Sequence, residues 1–209
     1  MSPPPTKAIV LISGNGSNLQ ALIDASQGTN DSEISLPYLK IIRVITNRKA
    51  AYGVTRAAEA GIPTTCHNLL TGKYHKKDEK DPAVIKAARE KYDADLADLV
   101  ISEQPDIIPI INLHPALPGK YDGANAIGRA FNDFEQGRLE NNKTGLMIHY
   151  VISEVDRGTP IVVKEVECKT SESLGELEAR MHAEEHKLIV EGTAMAIKEL
   201  WAHRSSVNA

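Results

Sequence analysis

The chain has 209 residues, 42% of them hydrophobic, which is enough for one sizeable core: a single domain, or one domain with a helical tail. A net charge of −4 and an isoelectric point near 6.0 give no electrostatic case for nucleic acid or an anionic membrane as the main partner, although a local anion site stays open. Cys66 and Cys168 lie far apart without metal-type spacing, and the opening MSPPPTKAIVLIS lacks a basic region followed by a long apolar stretch. No run approaches the roughly 18 apolar residues of a membrane-spanning helix. The expectation is a soluble cytoplasmic protein with reduced cysteines and no metal.

KAIVLIS is short, apolar and rich in β-branched residues, so it reads as a buried strand. GNGSN follows, and LQALIDASQG has helical period and ends at Gly28. LKIIRVITN reads as a strand, AYGVTRAAEAG as a helix stopped by Gly61, and IPTTCHN as a short strand. The charged stretch TGKYHKKDEKD reads as a solvated loop. PAVIKAAREKYDADLADLVISEQ opens on a proline, carries apolar residues at helical spacing, and predicts a long helix. After INLHPALPG, the segment GANAIGRAFNDFEQG reads as helical, and TGLMIHYVI and TPIVVKEVEC as strands. The last segment, from SESLGELEAR onward, opens with serine and acids and closes on basic residues, the pattern of a long amphipathic helix. Strands alternating with helices predict an α/β fold: an open, mostly parallel sheet with helices on both faces. The two adjacent strands near residue 150 predict an antiparallel addition.

Two stretches carry chemistry. SGNGSN, Ser13 to Asn18, joins the first strand to the first helix, where open parallel sheets bind ligands. A helix N-terminus there offers free N–H groups and a positive dipole end, and the glycines let the backbone approach an anion. It is neither G-x-G-x-x-G, because position 19 is Leu19, nor a P-loop, because the lysine is absent. The same residues would also make a tight turn before a capped helix.

The second stretch is Asn112-Leu113-His114-Pro115. Asn112 and His114 stand two apart, which on a strand puts both side chains on one face. Pro115 then turns the chain away. An imidazole can take or give a proton, and an amide N–H can donate to a developing oxyanion. The candidate orienting carboxylate is Asp156 in SEVDRGTPIV, although Asp-Arg-Gly is also ordinary turn chemistry. No serine or cysteine sits in an elbow-type context. His182 and His186 in HAEEH share a helix face, but H-E-x-x-H is not formed and a third ligand is lacking.

These stretches resemble the phosphoribosylglycinamide formyltransferase (glycinamide ribonucleotide transformylase) family, in its monofunctional, folate-dependent form. VLISGNGSNLQALIDA, NLHPALPGKYDG and HYVISEVDRGTPIV carry the likeness over nearly the whole chain. The resemblance implies that the glycinamide amine attacks the formyl carbon of 10-formyltetrahydrofolate, with no metal. It implies that Asn112 stabilises the oxyanion, that His114 is the general acid and base, and that Asp156 raises the histidine's basicity and orders a water. It assigns the substrate phosphate to Asn15, Gly16, Ser17 and Asn18 and a substrate contact to Glu185. It assigns the folate to Arg89 and the loop Ile152, Ser153, Glu154, Val155 and Asp156. The implied partners are these two small molecules, to a monomer or homodimer. Asp-Arg-Gly stands where bacterial members have Asp-Gly-Gly.

One departure is larger. In the family, the strand beginning Pro-Asp-Ile runs into a segment of the folate pocket and a helix before the Asn-x-His-Pro strand. Here Ile108 meets Pro109 directly. Parallel neighbours need a crossover of a dozen or more residues, and a fused strand would carry an internal proline. The expectation is a break or a distorted sheet between 108 and 109 within a single domain spanning 1–209. Residues left out of the chain, a dropped exon and a true deletion are the three possible origins. The rival functions are another folate-dependent formyltransferase or a deformylase, and a ribonucleotide-phosphate binder whose folate half is crippled.

Overall fold

A computed structural model describes residues 5–29, 34–106 and 110–207. The junction at Ile108 and Pro109 therefore lies outside the described residues. The chain divides into two compact units, one of residues 1–29 and 37–107 and the other of residues 30–36 and 108–209.

In the first unit, β1 (Thr6–Ile12), β2 (Leu39–Thr46) and β3 (Thr64–Cys66) form a parallel sheet in that order. Helices α1 (Ser17–Gln27) and α2 (Gly53–Glu59) make the crossovers. Gly28 closes α1 in the left-handed conformation at φ 69°, which costs a glycine little. Leu19, Ile23, Ala25, Val44, Ile45 and Ala57 are 0–2% exposed and make the core. Past the third strand, α3 (Pro82–Ser102) starts on Asp81, whose carboxylate accepts from the Ala83 N–H at 2.9 Å, with proline at the first turn. Its apolar spacing does not translate into a buried stripe: only Ala88 and Tyr92 are buried, and Val84, Ile85 and Ile101 are exposed. Beyond α3 the chain returns to β1, where Lys7 and Asp106 exchange two hydrogen bonds, each of 2.8 Å.

In the second unit, β4 (Ile111–His114), β5 (Lys143–Tyr150) and β6 (Pro160–Glu167) form an antiparallel sheet in that order. The described strands thus make two three-stranded sheets, one parallel and one antiparallel; the expected antiparallel addition includes β4 as well. Leu146, Met147 and Ile148 on central β5 are 0–1% exposed. A short helix, α4 (Ala126–Glu135), buries Ala126, Ile127, Ala130 and Phe131. The C-terminal helix, α5 (Leu174–Val207), packs on β5 and β6, and Leu177, Met181, Leu188 and Gly192 share one buried stripe of it. Its start is a reciprocal capping box. The Ser173 N–H donates to the Glu176 carboxylate at 2.8 Å, which holds that carboxyl below its usual range, and the Glu176 N–H donates back to Ser173 Oγ at 3.3 Å.

Gly192 lets α5 lie close to β5, because a Cβ there would sit 2.7–2.9 Å from three Ile148 side-chain carbons. Gly192→Ala should therefore lower unfolding stability by about 1–3 kcal/mol through overpacking, against the small gain alanine makes in an unobstructed helix. Urea denaturation checks this; unchanged or raised stability would show that the helix can shift outward at no cost.

Candidate active site

The site is assembled where β4 pairs with β5. The register places Asn112 opposite His149 and His114 opposite Met147. Pro115 and the following turn bring the segment Lys120–Gly123 back over the strand end, and the loop between β5 and β6 brings Asp156. Asp156 sits in the left-handed region at φ 56°, which aspartate tolerates better than most residues.

Its carboxylate gathers four groups. Oδ2 accepts from the Gly123 N–H at 2.8 Å and faces His114 Nδ1 at 3.2 Å. Oδ1 accepts from Asn112 Nδ2 at 3.3 Å and faces His149 Nε2 at 3.5 Å. Both imidazoles are 2% exposed. His114 Nε2 lies 3.0 Å from the Lys120 carbonyl, so both of its ring nitrogens face acceptors and both N–H groups are satisfied when the ring is protonated. His149 Nδ1 donates to the Tyr150 carbonyl at 2.9 Å, which leaves Nε2 to accept the second Asn112 N–H at 3.4 Å when that ring is neutral. Gly158 closes the turn next to this cluster: a Cβ there would stand 1.6 Å from the Tyr150 carbonyl oxygen, so no other residue fits.

The structure thus brings Asp156 together with Asn112 and His114, which lie 44 and 42 residues before it in sequence. It adds His149 and the Gly123 N–H, which the sequence reading missed. His149 could have been found only from its register opposite Asn112, because a lone histidine in an apolar strand carries no signal of its own. The loop Ile152–Asp156 exposes Ile152 and Val155, 48% and 65% accessible, beside this cluster. Ser153 donates to Glu154 at 2.7 Å and holds that carboxyl below its usual range. Glu185 is a buried residue of α5, 7% exposed, in the same unit.

The remaining candidates belong to the first unit. Gly16 precedes α1 at φ 73°, and a Cβ there would meet Gly53 Cα at 2.6 Å. No side chain caps α1, so no side-chain acceptor occupies the N–H groups of its first turn. Arg56 of α2, also missed from sequence, binds this turn: Nε and Nη2 donate to the Asn15 carbonyl and Oδ1, each at 3.0 Å, and Nη1 donates to Gln20 Oε1 at 3.2 Å. Between the carboxyl ends of the strands lies a cavity of about 230 Å³ whose lining includes Ser13, Thr46, Asn47, His67 and Tyr92. Arg89 is on the exposed face of α3, its guanidinium 3.3 Å from Asp93 and over the Tyr92 ring. Cys66 is exposed and Cys168 buried, both as free thiols, and burial pushes the Cys168 thiol up. Among the described residues, no group of three His, Cys, Asp or Glu could hold a metal, and no helix is long and apolar enough to cross a membrane.

The formyl transferase family matches residues 6–193. The Schizosaccharomyces pombe phosphoribosylglycinamide formyltransferase is 42% identical, covering 91% of this chain and 97% of that protein. Its Saccharomyces cerevisiae counterpart is 41% identical over 93% and 98%. The chain belongs to the phosphoribosylglycinamide formyltransferase family. Family members of known structure share the fold. The glycinamide ribonucleotide transformylase 1 of Symbiobacterium toebii superposes with a TM-score of 0.71 at 26% identity, over 90% of this chain and 85% of that one. The Coxiella burnetii enzyme gives 0.68 at 27% identity, over 92% and 86%. The alignment with the fission-yeast family member runs over 214 positions yet takes in 91% of these 209 residues, about 190, so about two dozen positions have no counterpart here.

The loop that supplies Lys120 and Gly123 also carries Tyr121, whose hydroxyl donates to Asp133 at 2.8 Å. Burial, then the Asp133 bond, push this phenol from 10.0 to about 12. The unfolded phenol ionises first, so its contribution to stability is complete below pH 10 and is lost as the pH rises towards 12. Absorbance at 295 nm in Tyr121→Phe should lose one late-titrating phenol relative to the unsubstituted chain; loss of an early one would place Tyr121 in solvent.

Proposed function

We propose that this chain transfers the formyl group of 10-formyltetrahydrofolate to the amine of glycinamide ribonucleotide, a step of purine biosynthesis. The observation that carries the reading is the Asn112–His114–Asp156 cluster, set beside the identity to named phosphoribosylglycinamide formyltransferases. The substrate phosphate is assigned to Asn15, Gly16, Ser17 and Asn18, where N–H groups without a side-chain cap and the helix dipole favour an anion. Glu185 contacts the ribonucleotide. Ile152 to Asp156 hold the pteridine, with the exposed Ile152 and Val155 as an apolar wall, and Arg89 serves the folate side. A single formyltransferase domain, working in the cytoplasm on small molecules as a monomer or homodimer, completes the proposal; the family match across both units and the free thiols support it.

The amine attacks the formyl carbon, and its lone pair becomes the new C–N bond while the carbonyl pair moves onto oxygen. An Asn112 N–H donates to that oxyanion. His114, held by Asp156, accepts the proton leaving the ammonium nitrogen and returns one to N10 of the folate as the C–N10 bond breaks. Nothing in the balance requires a metal or a covalent nucleophile. Two local rearrangements are implied: His114 Nε2 must leave the Lys120 carbonyl, and one Asn112 N–H must leave Asp156 or His149.

A second reading is favoured by the two dozen unmatched positions and by the engaged donors of Asn112. In it, the chain binds the ribonucleotide phosphate and has lost formyl transfer. Assaying the full chain with both substrates separates the two. Turnover, with a loss of about 10²–10⁴ in His114→Ala and retained circular dichroism, is expected. Comparable rates in His114→Ala overturn the assignment, and ribonucleotide binding without turnover in the unsubstituted chain establishes the second reading.

A further inference from the structure

The two groups that orient the proposed proton-handling pair come from one tetrapeptide. Lys120 gives its carbonyl to His114 Nε2, and Gly123 gives its N–H to Asp156 Oδ2. The segment between them is held in an unfavourable backbone. Tyr121 has φ 52°, flanked by Gly119 at 74°, Gly123 at 81° and Asn125 at 55°. A left-handed tyrosine costs of order 1–3 kcal/mol and persists only where surrounding contacts over-determine it.

Beside the Tyr121–Asp133 bond, those contacts include two arginines. Arg129 of α4 donates through Nη2 to the Tyr121 carbonyl at 2.5 Å and the Asp122 carbonyl at 2.8 Å. Arg157, next to Asp156, donates through Nε to Asp122 Oδ2 at 2.6 Å. The Asp122–Arg157 bond ties the tetrapeptide to the loop that carries Asp156, one residue from each end of the Gly123–Asp156 bond. Two adjacent ties across the same pair of loops fix their spacing, which a single bond would leave free to hinge. Both Arg157 and Asp122 are partly exposed, so the pair adds little to global stability, and its effect is local.

We propose that Arg157 is a positioning residue: by holding Asp122 it keeps the Lys120–Gly123 segment where it orients His114 and Asp156 for proton transfer. The inference rests on the formyl-transfer reading of that pair, and its test includes a readout that does not. In the full chain, amide exchange at Gly123 should speed up about tenfold in Arg157→Ala while exchange in β5 stays unchanged, because only the local opening is altered. In turnover, Arg157→Ala should lower kcat about tenfold with KM for the ribonucleotide unchanged, a loss typical of small misplacement. Asp122→Asn should do the same, and the double variant should be no worse than either single one, the signature of one shared interaction. Arg157→Lys, which keeps the charge, should recover most of the rate. Unchanged Gly123 exchange in Arg157→Ala, additive losses in the double variant, or a parallel loss of kcat, KM and thermal stability would each overturn the proposal. An unsubstituted chain without turnover but with the exchange change would contradict the function and leave the clamp standing.

Discussion

A carboxylate that is 10% exposed cannot stay charged without partners, and Asp156 finds them on three separate segments. Strand β4 sends Asn112 and His114, strand β5 sends His149, and the turn after Pro118 sends the Gly123 N–H. Hydrogen bonds to a charged group contribute about 1.5–3 kcal/mol each, and a missing one leaves a desolvated charge. The local geometry around Asp156 follows from this demand: a left-handed backbone at Asp156, a glycine at 158 that admits no Cβ, and a turn bent through four left-handed residues to deliver one N–H. The same demand sets the chemistry, because a histidine pinned on a carboxylate is oriented to exchange protons.

Much of the architecture was legible because it is local. Short apolar runs and helical spacing placed β1, β2, α1, α3 and α5 within a few residues of their observed ends, and Gly28 and Gly61 stand where the helical patterns stop. The spacing of Asn112 and His114 was legible for the same reason: two residues on a strand share a face. His149 was not, because its membership depends on the register of β4 against β5, a long-range fact. Arg56, Arg129 and Arg157 were not legible either, since an arginine on a helix or in a turn is ordinarily a solvated charge. The apolar residues of α3 mislead in the opposite direction, matching a buried face in spacing yet leaving Val84, Ile85 and Ile101 exposed.

The glycine-rich turn shows how a weak motif gains weight from its setting. Gly16 and Gly53 touch where side chains would clash, which brings α2 against the start of α1 and lets Arg56 reach the Asn15 carbonyl and amide. Arg56 thereby satisfies the Asn15 carbonyl and side-chain oxygen, while no side chain takes up the first N–H groups of α1. Departing from the known dinucleotide and triphosphate loops does not weaken this logic, because a single small phosphate needs only N–H groups, a dipole and close backbone approach.

The account stands on Asp156 acting through charge and hydrogen bonding, and the isosteric Asp156→Asn variant tests that most directly. An amide keeps the size of the carboxylate but replaces one acceptor oxygen with a donor and carries no charge to stabilise a protonated imidazole. The account predicts a fall in formyl-transfer kcat of order 10³–10⁴ in a chain that remains folded by circular dichroism, comparable to the loss when a triad aspartate becomes asparagine. Turnover within about tenfold of the unsubstituted chain would contradict it, showing that His114 works without the carboxylate that organises the site.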